Sequence, residues 1–188
     1  LTTPDPPRLK FESAEALDEW LVVHHLDVHG AWMQLGKKGN PAPSVTWAQA
    51  VPVLLRWGWI DGQRRRLDDD WHLVRITPRR ARSVWSKINV EHAERLIAER
   101  RMQPTGLAQV DAAKADGRWD AAYERQSKMV PPPELQAALD VDPTAAASFA
   151  ALKSAERYSI CWKIHNAKRA DTRQRHVQRA LERLAERR

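Results

Sequence analysis

Tryptophan and arginine are concentrated in one stretch of this chain, and their chemistry is that of a binding surface. Six of the nine tryptophans fall between Trp32 and Trp85, and five arginine or lysine residues fall between Arg75 and Lys87 with no acid among them. A guanidinium presents a planar fork of donors that fits carboxylate or phosphate and stacks on aromatic faces. Tryptophan adds a large flat surface with one N–H donor. The candidate ligand-binding residues are Trp59, Asp61, Gln63, Arg75, Arg79, Arg82, Trp85, Ser86, Lys87 and Asn89. The expected ligand is a small anionic or aromatic molecule, or a protein partner. The competing interpretation is a buried aromatic–arginine cluster in which Asp61 pairs with an arginine for structural reasons.

Other constellations carry less chemistry. His24, His25 and His29 cluster, but lack an evident further ligand, so no metal site is assigned. Cys161 and His165 stand four apart, yet Ile160, Trp162 and Ile164 surround the cysteine, which suits a small buried hydrophobe. Asp68, Asp69 and Asp70 read as a solvated turn. No nucleophile elbow, phosphate-cradling loop or zinc-protease motif is present, so no catalytic residue or cofactor is assigned, and a non-enzymatic role is favoured over an enzyme of unrecognised class built on Asp61 and the nearby arginines.

The elements that must position the Trp/Arg residues follow from periodicity. Residues 59–65 and 71–76 read as strands with the polar run 66–70 turning between them. On strict alternation Trp59, Asp61 and Gln63 share one side. Pro78 then ends the second strand, and Ser83 caps a helical turn whose exposed N–H groups favour an anion. This geometry predicts that Arg75, Arg79 and Trp85 meet Trp59 and Asp61 in space. Thr46 and Gln49 form a capping box for a helix over 47–57, with Pro52 inside it. Asn89 is expected to cap a further helix, and Thr105 the one after it.

The fold class is α+β: an N-terminal lobe with a small antiparallel sheet and helices, then an all-helical C-terminal lobe. The expected boundaries are an extended arm over 1–10, the α+β lobe over 11–128, a proline-rich hinge over 129–133, and helices over 134–188. Hydrophobic residues at 43% suffice for a core, and no apolar run approaches the ~20 residues of a membrane helix, so no membrane insertion is expected. The N-terminal residues lack the pattern of a secretory signal. A single cysteine excludes an internal disulfide and suits a reducing compartment, so a cytoplasmic location is expected.

The net charge of +7 is uneven: residues 163–188 hold nine Lys/Arg against three Asp/Glu, and 56–101 hold twelve against seven. The last helix carries Arg173, Arg175, Arg179 and Arg183, and together with the basic central region it makes nucleic acid the alternative partner. A solvated face is the simpler alternative.

The runs Gly58-Trp59-Ile60-Asp61-Gly62, Thr77-Pro78-Arg79-Arg80 and Arg82-Ser83-Val84-Trp85-Ser86-Lys87-Ile88-Asn89 resemble the YdeI/OmpD-associated family, also called bacteriocin-protection proteins. The resemblance continues through Arg101-Met102 and Ala113 to Asp120, and resumes at Arg157-Tyr158-Ser159-Ile160, Trp162 and Ala167-Lys168-Arg169. It extends over nearly the whole chain from about Phe11. Pro52, Trp57 and Ile76 depart from the expected pattern. The resemblance implies a cytoplasmic bacterial protein of stress or bacteriocin tolerance, with no established catalytic residues.

Overall fold

A computed structural model describes residues 5–124 and 129–186. The chain divides into two compact units, Leu1–Tyr123 and Glu124–Arg188.

The first unit is α+β. Its elements are β1 (Arg8–Lys10), α1 (Ala14–His24), β2 (Ala31–Gly36), α2 (Trp47–Arg56), β3 (Trp59–Arg66), β4 (Trp71–Pro78), α3 (Lys87–Ala98) and α4 (Pro104–Ala115). The four strands form one sheet in the order β1-β2-β4-β3. β2 pairs antiparallel with β4, and β4 with β3, while β1 lies parallel on β2. The sheet is therefore mixed, and the region expected as an extended arm contributes an edge strand at Arg8–Lys10. Residues 1–4 of that arm lie outside the described residues.

Two cores meet at α2. Leu17, Leu21, Met33, Leu35, Leu54, Trp59, Val74 and Ile76 close the inner face of the sheet against α1 and one side of α2. Val51 and Leu55, on the other side of α2, pack with Trp85, Ala93, Leu96, Val110, Ala113 and Trp119. A helix serving two cores must be apolar on both sides, which explains the run 50–55. Its start is the capping box read from the sequence: the Gln49 N–H donates to Thr46 Oγ1 at 3.3 Å and the Thr46 N–H to Gln49 Oε1 at 2.9 Å. Pro52 lies inside the helix, which nonetheless runs to Arg56. Gly58, at φ +76°, ends it where a Cβ would stand 2.8 Å from the Thr105 carbonyl oxygen.

Two helix starts differ from expectation. Residues 83–86 form no helical turn; Ser83 Oγ instead accepts from the Arg80 N–H at 3.0 Å, and a single helix, α3, begins at Lys87 with Ser86 as its cap. Pro104 occupies the first turn of α4, and the Thr105 hydroxyl donates to the Trp57 carbonyl at 3.0 Å rather than capping.

The second unit contains α5 (Pro133–Val141), α6 (Pro143–Ala151), α7 (Ser154–His165) and α8 (Ala170–Ala185). Leu135, Leu139, Phe149, Ile160, Cys161, Ile164, Val177 and Leu184 form its core. Asp142 caps α6, accepting from the Ala145 N–H at 2.9 Å, with Pro143 in the first turn, as its position ahead of the proline predicts. Among the described residues no helix is long and apolar enough to cross a membrane.

Candidate functional site

The register of β3 on β4 decides which side chains meet. Asp61 pairs with Ile76 and Arg64 with Val74, so Gly62 and Gln63 together oppose the single residue Arg75. This β-bulge inserts one residue and reverses the alternation beyond it. Trp59 and Asp61 face inward with Ile76, whereas Arg65, paired with Leu73, falls on the outer face with Arg75. Trp32 joins that face because β2 pairs it with Arg75.

The outer face carries a cleft of about 430 Å³ lined by Asp5, Pro6, Val28, His29, Trp32, Gln63, Arg65, Arg75, Thr77 and Arg80. Trp32, 3% exposed, forms its aromatic floor. The guanidinium carbon of Arg65 lies 4.2 Å from that ring and that of Arg75 5.7 Å. Arg75 donates to the carbonyls of His29 and Ile76, which orients it without neutralising it. Burial lowers its pKa, and the positive charges of Arg65 and Arg80 add to that effect against the opposing influence of Asp5. Three cations thus converge with one acid. Gly30 permits this closure: at φ +60°, it places its Cα so close to β4 that a Cβ would meet the Ile76 carbonyl oxygen at 2.1 Å. His29 is thereby held beside Arg75.

The remaining predicted residues lie elsewhere, and the expected meeting of Arg75 with Asp61, Arg79 and Trp85 does not occur. Trp59 is fully buried and its indole N–H donates to the His25 carbonyl at 2.9 Å. Asp61 accepts from the Trp47 indole at 3.0 Å. Arg79 is 6% exposed, with its guanidinium carbon 3.7 Å from the centre of the Trp85 ring and Nη1 donating to the Val84 carbonyl at 3.2 Å. Its Nε and Nη2, and the Trp85 indole nitrogen, are buried without a protein acceptor. Burial pushes the Arg79 pKa down to about 10, with Tyr123 and Asp61 opposing the drop and Arg118 reinforcing it. Arg79 is therefore still charged at neutral pH. Asp61 acts on Arg79 only through its field, and no hydrogen bond or ion pair joins the two among the described residues.

Trp85 packs on Trp119 with ring centroids 4.8 Å apart, and the Tyr123 N–H donates to the Trp85 carbonyl at 3.0 Å. Ser86 is buried and its hydroxyl accepts from the Asn89 N–H, so the start of α3 is already capped. Asn89 is buried in the first turn. The side chains of Arg82 and Lys87 are exposed. Of the ten predicted residues, Gln63 and Arg75 line the cleft. Trp32, Arg65, Arg80, His29 and Thr77 were missed. The run Arg64-Arg65-Arg66 beside an alternating strand containing Trp32 was the available signal.

In the second unit Arg173 donates to Glu134 at 2.8 Å and to the Ala167 and Lys168 carbonyls, and Arg175 pairs with Asp171 at 3.7 Å. Arg179 and Arg183 line a groove between α7 and α8. Cys161 is buried and burial raises its thiol pKa, which opposes nucleophilic use. Among the described residues no three His, Cys, Asp or Glu side chains come together as metal ligands.

Two family models match the chain. Residues 9–109 match one described as Domain of unknown function (DUF8412), and residues 128–187 match one described as Bacteriocin-protection, YdeI or OmpD-Associated. The second match covers the motifs at Arg157–Ile160, Trp162 and Ala167–Arg169, whereas the Gly58–Asn89 motifs fall in the first. The resemblance read over nearly the whole chain is thus matched only in its C-terminal part. Comparison with curated proteins and with solved structures finds no match.

Proposed function

We propose a binding role without catalysis for this protein, whose chain belongs, through residues 9–109, to the family described as Domain of unknown function (DUF8412) and matches over 128–187 the model described as Bacteriocin-protection, YdeI or OmpD-Associated. The ligand is a small anion with a planar group, held in the outer-face cleft of the first unit. The observation that carries this reading is the convergence of Arg65, Arg75 and Arg80 over Trp32 with Asp5 as the one acid in the lining. Guanidinium forks recognise phosphate or carboxylate oxygens, and a guanidinium already stacked on an indole presents its second face to a planar ligand. Partial burial strengthens both interactions relative to water. Bacteriocin protection, the second family's description, is compatible with a protein that acts by holding a ligand rather than converting it.

The test is titration calorimetry with mononucleotides, benzoate and inorganic phosphate. Salt-sensitive binding of a planar anion, lost in Arg75→Ala and in Arg65→Ala, is the expected result. Failure of all three probe classes, or binding indifferent to both variants, overturns the reading.

A further inference from the structure

The second unit carries a separate cationic groove. Its volume is about 320 Å³, and it is lined by Ile160 and Lys163 from α7 and by His176, Arg179, Ala180 and Arg183 from α8. Four of these six residues are basic types and none is acidic. Positions 176, 179, 180 and 183 lie at i, i+3, i+4 and i+7, so they share one helix face. Ile160 and Ala180 are buried and form the floor, and the small Ala180 leaves the depression between the helices.

The pattern of ion pairs separates this face from the rest of the basic segment. Arg173 pairs with Glu134, while Arg169 and Arg175 both pair with Asp171. None of these three cations lines the groove. Among the described residues Lys163, His176 and Arg179 make no ion pair, while Arg183 pairs with Glu156 at 3.4 Å at the edge of the groove. Carboxylates therefore pair with the cations around the groove and with Arg183, and among the described residues Lys163 and Arg179 are left in its lining without one.

We propose that this groove binds the phosphodiester backbone of a nucleic acid without reading its sequence. His176, Arg179 and Arg183 form a row with steps of roughly 4.5–6 Å along the helix axis. That row suits a linear series of phosphates better than one compact anion. The floor consists of two apolar side chains, too few to house an acyl chain. Backbone contacts of this kind supply affinity through counterion release and carry no base information.

The experiment uses the full chain and fluorescein-labelled single-stranded and duplex DNA and RNA of mixed sequence, followed by anisotropy. For three single-strand phosphate contacts, from Lys163, Arg179 and Arg183, affinity should fall on the order of 20-fold between 50 and 200 mM salt. In the double variant Lys163→Ala/Arg179→Ala the fall should shrink to about threefold, because two of the three contacts are gone. Arg175→Ala, which removes a paired cation outside the groove, should leave both affinity and salt dependence near those of the parent. Circular dichroism checks that each variant is folded. No binding, equal losses in Arg175→Ala and the double variant, or full competition by inorganic phosphate at the ionic strength of the control would overturn the proposal. Loss of nucleic-acid binding in Arg75→Ala with the groove variant unaffected would also overturn it, and would place the polymer in the first unit's cleft. Mononucleotide binding that depends on Arg75 is a separate result and concerns only that cleft.

Discussion

Two of the arginine–tryptophan stacks in the first unit differ in what surrounds the cation. Arg79 lies over Trp85 at 3.7 Å, almost fully buried. Arg65 and Arg75 lie over Trp32 at 4.2 and 5.7 Å, at the mouth of a cleft. The side-chain chemistry is the same in both. In the first, the helical core covers the tryptophan and closes over the guanidinium. In the second, only the tryptophan is buried, while Arg65 is exposed and Arg75 half-buried. A stack is a site only where its cation remains reachable, so residue type alone cannot separate the two.

The largest effect that tests this contrast is Trp85→Ala. Removing a side chain 2% exposed should cost about 3–5 kcal/mol, read as a lower midpoint in urea unfolding. A loss no greater than that of a surface change would show that this stack is not the structural one.

Arg79 comes next. Arg79→Ala should cost about 2–3 kcal/mol, from a desolvated cation–π contact, the bond to the Val84 carbonyl and lost packing. Arg79→Met should cost less than about 1 kcal/mol, because it keeps the stem volume and removes a buried charge with two unsatisfied nitrogens. Equal losses in the two variants would mean that the charge, not the volume, holds Trp85 in place.

The outer stack should behave in the opposite way. Arg65→Ala should shift stability by about 0.5 kcal/mol or less, as at other exposed positions, while weakening anion binding in calorimetry. A large stability loss would move Arg65 into the same structural class as Arg79.

The smallest expected effect lies on β4 itself, at the half-buried His72. Burial, then Arg64 and Lys37, hold its pKa below 6.5. The unfolded chain therefore binds a proton first as pH falls. The stabilisation is present above pH 6.5 and is lost as pH drops below it, until the folded imidazole also titrates. Urea unfolding at pH 7.5 and 5.0 should show a smaller loss in His72→Gln than in the parent chain. An unchanged difference would remove His72 from the account.

Local signals proved legible where one segment carries its own chemistry. The Thr46–Gln49 capping box, the hairpin over 59–76 and the cap at Asp142 before Pro143 each depend on neighbours within a few residues. The helical character beyond Pro133 was readable for the same reason. What remained hidden depended on partners distant in sequence. Arg8–Lys10 is too short and too polar to announce a strand, and it becomes one because β2 offers it an open edge. Ser83, Ser86 and Asn89 all suit a helix cap, and the choice fell to Ser86, whose backbone is bridged to Tyr123.

The candidate site shows the same division. Composition marked residues 56–101 as rich in arginine and tryptophan, and that much follows from the sequence. Which of those residues meet was settled by the bulge at Gly62–Gln63. One extra residue in β3 turned Arg65 to the outer face, left Asp61 on the inner one, and so gave Arg75 different neighbours from those that alternation predicts. Side-chain direction in a strand has a period of two, and a single inserted residue therefore reverses every assignment beyond it. The insertion exists only through the pairing of β3 with β4, so only the tertiary structure could locate it.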